Sequence, residues 1–332
     1  MDLIIVMAAV VSLIVLANVT LKLNQPTLST IFPFILAAFN VPVLFMGILL
    51  MFAGPEVLSA AGIAINIESL DSLGLWFVIM AIWGTLVALP GVRRLVALLI
   101  PLQPDNPVHA TALLLSGYLV GNTLSTLSQG GLEGLVTSIQ SVTVWETIAS
   151  QLLFVMVALT GVGLFVRRDG KELFERLGLA RPTVKQLFFG VLIAIALFLG
   201  QLFAGLLATV LNPGQIDSIE SINEVMLGDF DTVWEWFLLA AAAGIGEELL
   251  FRGAIQPAFG LPVASILFTI GHIQYGFSVV SIFVLILAVA LGLVRRHMNT
   301  TIAVFVHFTY NFILGMLALL APYLEQLAKQ LS

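Results

Sequence analysis

Residues 233–254 read VWEWFLLAAAAGIGEELLFRGA, an apolar run long enough to cross a bilayer that nevertheless carries Glu247, Glu248 and Arg252 inside it. A hydrocarbon core of ~30 Å takes about 20 apolar residues as a helix. An ionisable side chain at that depth needs a partner or a task. Working outward, runs of the same kind recur near 3–21, 31–53, 74–91, 108–128, 145–166, 186–211, 261–276, 278–294 and 300–320. The expected fold is therefore all-α, a polytopic transmembrane helical bundle of about ten spans. Pro101, Pro104 and Pro107 precede the run at 108–128, and the run at 261–276 is short and opens near Pro262. Either of these two fits a re-entrant or tilted helix.

Composition agrees. Of 332 residues, 60% are apolar and 10% charged, whereas soluble domains run nearer ~45–50% and ~25%. An ordinary soluble enzyme and a disordered chain are excluded. Thirteen Lys+Arg against nineteen Asp+Glu leave a net −6, so no basic stripe exists to neutralise phosphates and a nucleic-acid partner is not expected. No cysteine is present, which removes disulfides, thiolate nucleophiles and cysteine-type zinc sites.

The charges between spans alternate in sign. Lys22, then Arg93 and Arg94, then Arg167 to Lys185, then Arg295 and Arg296 occupy every second connection. The intervening ones hold Glu56, Glu68 and Asp71; Glu133 and Glu146; and Asp217, Glu220, Glu224, Asp229 and Asp231. Basic connections face the cytoplasm, which predicts a multi-pass protein of the cell membrane with both termini outside. Trp76, Trp145, Trp234 and Trp236 then fall at outer helix ends, where an aromatic belt would place them. The start Met1-Asp2 lacks a basic n-region, so the first span reads as an anchor and not a cleaved signal. The connection Arg167–Lys185 reads equally as a short amphipathic surface helix or as a solvated loop. Three regions follow: accessory helices at 1–174, a core at 175–322 and a short tail at 323–332.

Intramembrane charge gathers in the last third. Glu248 and Arg252 are four apart and share a helix face. Glu247 is rotated from Glu248 by ~100° and has no counter-ion on its own helix. Only four histidines exist; His272 and His307 lie inside apolar runs, while His109 and His297 sit at span edges. His307 and Asn311 are four apart on one face, as are Phe268 and His272. At ~1.5 Å per residue, Glu247 and His307 lie about 10 Å from the cytoplasmic end and His272 nearer ~16 Å.

A carboxylate without a fixed partner is a candidate general base, and a histidine beside it could share a water. A second histidine and an asparagine amide would supply donors to a developing oxyanion. That set suits hydrolysis of a peptide or amide. No G-x-S-x-G elbow or H-E-x-x-H helix is present. Zinc could be held by Glu247, His272 and His307 as a three-ligand open site, although ligands on three helices are a weaker signal than one spaced motif. Plainer readings stand beside these. Glu248 with Arg252 could be a buried ion pair fixing helix packing, Phe268 a packing residue and Asn311 an interhelical hydrogen bond. Gly244, Gly246 and Gly253 suggest close helix approach. A transporter with a buried Glu/His relay would also use such charges, but it should show repeat symmetry between its halves. A proteolytically silent membrane scaffold is the third class.

At these residues the chain resembles a known family. Glu247-Glu248-Leu249-Leu250-Phe251-Arg252 fits E-E-x-x-x-R, Phe268-Thr269-Ile270-Gly271-His272 fits F-x-x-x-H, and His307-Phe308-Thr309-Tyr310-Asn311 fits H-x-x-x-N. In that order they are similar to the motifs of type II CAAX prenyl proteases, extended in bacteria as the CAAX protease and bacteriocin-processing (CPBP, or Abi) family. Leu177-Gly178-Leu179 to Pro182 also looks like the lead-in of bacterial members. The resemblance spans roughly 175–320. It implies an intramembrane endopeptidase open to the cytoplasmic side and acting on a membrane-embedded or membrane-associated peptide or protein. By resemblance, Glu247 and His272 would activate water and His307 and Asn311 would form the oxyanion site. Glu248, Arg252 and Phe268 would support them. Members are often labelled metalloproteases, yet a metal-free, glutamate-driven mechanism is also proposed for the family, so the resemblance fixes no cofactor.

Overall fold

The computed structural model describes residues 2–52 and 70–331. In chain order the helices are α1 (Asp2–Leu23), α2 (Pro26–Ala38), α3 (Val41–Phe52), α4 (Leu70–Ala88), α5 (Pro90–Val96), α6 (Pro107–Leu127), α7 (Gly131–Ser138) and α8 (Val144–Val162). There follow α9 (Gly170–Leu177), α10 (Val184–Leu211), α11 (Pro213–Leu227) and α12 (Val233–Glu247), which runs into a π-helical segment, Glu248–Ile255. After it come α13 (Gln256–Ile270), a 3-10 turn (Ile273–Tyr275), α14 (Val279–His297) and α15 (Thr300–Leu331). Among the described residues no strand forms, so the protein is an all-α, polytopic membrane bundle. Glu56 and Glu68 of the first acidic connection, and Ser332 of the tail, lie outside the described residues.

Local sequence sets where the helices start. Thr143 with Glu146, Thr183 with Gln186 and Thr232 with Glu235 close reciprocal capping boxes on α8, α10 and α12, each satisfying backbone N–H groups that the first turn leaves free. Ser278 with Ser281 does the same for α14.

Among the described residues eight helical stretches are long and apolar enough to cross a bilayer, against the ten runs marked in the sequence. Two places account for the difference. The run at 108–128 forms α6, but Thr111, Thr123 and Ser125 are buried polar residues along it, and they lower its apolar content. The run at 261–276 is not a separate long helix; it completes the 38-residue stretch Val233–Ile270. That stretch bends at Gly260, whose φ of 83° is costly for any residue with a Cβ. Beyond the bend α13 packs on α14 and the π segment, and His272, just past its end, comes within 3.9 Å of Glu247.

The connection Arg167–Lys185 contains the amphipathic helix α9. It is strapped to the bundle: Arg176 Nη1 donates to Gly253 O at 2.8 Å and Thr300 N to Gly178 O at 2.9 Å. One apolar core joins α10, the π segment, α13, α14 and α15. A second joins α1, α2, α4 and α6 and takes in Ala258 and Phe259 of α13, so that helix packs into both. Trp145 and Trp234 are exposed, as a belt requires, but Trp236 is buried, its Nε1 donating to Phe230 O at 3.0 Å.

Candidate active site

The site is built where α12 is pressed between two neighbours by glycine. A Cβ on Gly244 would lie 3.1 Å from Phe308 N of α15, and one on Gly246 would lie 2.8 Å from the carbonyl oxygen of Gln151 on α8. Backbones therefore approach closely on both flanks, as the glycines suggested. Gly253, about two turns on, makes room for a side chain instead, its Cβ position lying 2.9 Å from Leu177 Cδ2 of α9.

Just past this contact the helix widens into the π segment. Such insertions are rare and often mark functional sites. Glu248 and Arg252 lie within it and are almost wholly buried, with Glu248 Oε2 3.4 Å from Arg252 Nε. Arg252 Nη2 also donates to Ala288 O at 3.2 Å, and its guanidinium carbon stands 4.5 Å from the centre of the Phe268 ring. A buried charge requires such pairing. The other carboxylate oxygen of Glu248 is bound by His307, whose Nδ1 donates across 3.0 Å. Thus Glu248 stands between Arg252 and His307, while Glu247 faces elsewhere.

Glu247 turns toward His272 and Gln151. Its Oε1 accepts from Gln151 Nε2 at 3.2 Å, and its Oε2 stands 3.9 Å from His272 Nε2. That oxygen is buried without a hydrogen-bond partner. His272 Nδ1 lies 2.8 Å from Phe268 O. A carbonyl can only accept, so Nδ1 carries a proton and Nε2, which bears the lone pair in a neutral ring, is the nitrogen that faces Glu247. Phe268 sits between the two histidines, stacked on His272 at 4.5 Å between ring centres and tilted against His307 at 5.9 Å. Tyr275 stacks on the other side of His272 at 6.3 Å. Asn311 is half-buried one turn beyond His307 on α15, and among the described residues its amide has no side-chain hydrogen bond.

The structure therefore joins Glu247 with His272, and Glu248 with Arg252 and His307, through Phe268. It does not converge Glu247, His272 and His307 on one point, because His307 is turned to Glu248. Among the described residues no group of three or more His, Asp or Glu side chains could hold a metal ion, and the donor set does not fit the three-ligand zinc site. Gln151 was missed from the sequence. The signal existed, since an uncharged amide inside an apolar run also needs a partner, but Gln151 belongs to none of the three motifs.

The three motifs thus meet around Phe268 inside one membrane bundle. Residues 229–313 match the family model described as type II CAAX prenyl endopeptidase Rce1-like. That stretch runs from the lead-in to α12 past Asn311, so it contains every residue of the three motifs. No curated protein and no solved structure matches the chain.

Proposed function

We propose that the protein is an intramembrane endopeptidase of the cell membrane in which Glu247 and His272 activate a water held between them. The observation that carries this reading is the 3.9 Å gap between Glu247 Oε2 and His272 Nε2. It is too long for a direct hydrogen bond, and such polar separations are commonly bridged by water. A water about 2.8 Å from each atom would subtend an angle of roughly 90°. It would donate one proton toward the carboxylate and the other toward the unprotonated Nε2, leaving an oxygen lone pair for a peptide carbonyl. Gln151 keeps the carboxylate aimed by binding its other oxygen.

Transfer of the water's proton to Glu247 accompanies attack on the carbonyl carbon. The carbonyl oxygen gains negative charge, which His307 and Asn311 would stabilise. His307 is held by Glu248 at its Nδ1, which leaves Nε2 as the ring nitrogen available to face that oxygen, as a donor when the ring is an imidazolium. Glu247 then returns its proton to the leaving amine. Arg252 neutralises Glu248 and positions it. No step is routed through a metal. The substrate is a membrane-embedded or membrane-associated peptide or protein reaching the site from the end with the basic connections, which faces the cytoplasm, with both termini on the opposite side. Residues 175–322 form the catalytic core, while 1–174 contribute α8 and with it Gln151.

The test is cleavage of a quenched membrane-peptide library by the purified full chain beside Glu247→Gln. A fall of about 10²–10⁴-fold is expected for loss of a general base. Equal cleavage by a folded Glu247→Gln protein would remove Glu247 from the mechanism.

A further inference from the structure

A cavity of about 510 Å³ lies between α1, α6 and α8 on one side and the π segment with the start of α13 on the other. None of Glu247, His272, His307 and Asn311 lines it. Leu115, Leu119, Phe154, Val157 and Leu250 form its apolar walls, and Arg167, Arg168 and Arg176 stand together at one end. Pro101 and Gln103 border it and are exposed, so it opens at the end of the bundle that carries the basic connections.

The three arginines have only neutral partners. Arg167 Nη1 donates to Asn18 Oδ1 at 3.3 Å, Arg168 to Val162 O, and Arg176 to Gly253 O at 2.8 Å. Among the described residues no ion pair includes any of them. Burial first, then the nearby charges of Arg168, Arg295 and Arg167, push Arg176 down to about 10. Mutually repelling guanidiniums at the rim of an apolar chamber form a site for an anion.

The walls choose what carries the anion. Of the uncharged polar side chains lining the chamber, Thr111 and Ser116 already donate to carbonyls of their own helix, at 2.9 Å and 2.8 Å, and Gln103, Asn106 and His109 are engaged with one another. A peptide would bring a buried N–H and C=O per residue and find few partners; an alkyl chain brings none. From Val162 back to Phe154 the chamber follows α8 for about 12 Å, and its volume lies within the ~300–1,000 Å³ of small-molecule sites. We propose that this cavity binds one single-chain anionic amphiphile, its carboxylate or phosphate on Arg167, Arg168 and Arg176 and its alkyl chain along α6 and α8. Phe154 is one turn from Gln151, and Leu250 is one turn from Glu247, so the occupant would sit directly behind the groups that hold the general base.

The test uses the full chain in nanodiscs of zwitterionic lipid and saturation binding of labelled palmitate, with lysophosphatidate, diacyl phosphatidate, hexadecanol, inorganic phosphate and a short peptide with a free carboxyl terminus as competitors. One equivalent of palmitate should bind. Competition by lysophosphatidate as well would show that the head is read as charge; its failure to compete would narrow the site to fatty carboxylates, still within the proposal. Arg176→Gln and Arg167→Gln should each weaken binding about ten- to hundredfold, the size of a charge-assisted hydrogen bond. Val157→Phe, which fills the chamber and leaves the arginines, should abolish binding in a protein whose elution and unfolding midpoint are unchanged. Hexadecanol competing as well as palmitate would overturn the proposal, because the arginines would then be irrelevant. So would displacement by phosphate alone or by the peptide in preference to lipid, or binding indifferent to both arginine variants and Val157→Phe. The readout is binding, so it stands whether or not Glu247 proves to be the base.

Discussion

Replacing Arg252 with methionine tests whether the Glu248–Arg252 pair is ionic and structural. Both side chains are buried, and the nearest charged atoms are 3.4 Å apart. At an effective dielectric constant of about 20, Coulomb's law assigns that separation about 5 kcal/mol, and breaking one side of a buried pair typically costs ~3–5 kcal/mol. Methionine restores most of the volume beside Phe268, so the cost would come mainly from stranding the Glu248 carboxylate. The Ala288 carbonyl also loses a donor, worth about 1 kcal/mol. Arg252→Met alone should therefore destabilise by ~3–5 kcal/mol. Adding Glu248→Gln should recover most of that, because a neutral amide still accepts from His307 Nδ1 and no charge remains buried. The expected coupling is ~2–4 kcal/mol, at the upper end of or beyond the range for residues in direct contact. Equilibrium unfolding in mixed micelles of SDS and a mild detergent would measure both variants. A single variant costing under ~1 kcal/mol, or a double variant no more stable than the single, would refute the reasoning and reduce the pair to a packing contact.

Three further outcomes follow from the same geometry. Gln151→Leu should lower cleavage by about tenfold while leaving the fold intact, since one charge-assisted hydrogen bond to Glu247 is lost; steady-state kinetics would read it, and an unchanged rate would detach α8 from the site. Gly246→Ala should destabilise by ~1–3 kcal/mol, the usual cost of overpacking, because the new methyl would lie 2.8 Å from the Gln151 carbonyl oxygen; an unfolding midpoint equal to the parent's would show that the helices separate freely. Chelation should leave cleavage unchanged, as the three expected ligands do not converge; elemental analysis of the purified protein, with inhibition reversed by zinc, would decide against that.

The spans were legible because a bilayer imposes one length and one composition on whatever crosses it. What this criterion handled worst were α6 and the end of α13. The first keeps its polar residues inside the bundle, so its composition does not advertise a span. The second depends on a reversal at Gly260, a single residue whose positive φ leaves no periodic trace. The Glu248–Arg252 pair was readable from spacing alone, since four residues bring side chains to one face whether the turn is α or π. Spacing does not say which histidine each carboxylate takes; only the family resemblance put Glu247 with His272, and nothing put Glu248 with His307. That pairing depends on how α12, α13 and α15 are rotated, and the rotation is set by contacts such as Gly244 on Phe308 that are remote in sequence.

The pairing has a chemical consequence. Two adjacent glutamates at one depth would ordinarily repel, and one would have to lose its charge. Here the helix sends them to opposite partners: Glu248 is neutralised by Arg252 and tied to His307, whereas Glu247 receives only a neutral amide and the lone-pair side of an imidazole. Phe268 separates the two sets, touching Arg252, His272 and His307 at once. One carboxylate therefore faces an arginine and a histidine, whereas the other has only an amide on one oxygen and an imidazole 3.9 Å from the second. The close approach of α8 to α12 at Gly246 brings Gln151 within reach of Glu247. A helix from the accessory region, outside the matched segment 229–313, thus holds the carboxylate proposed to do the chemistry.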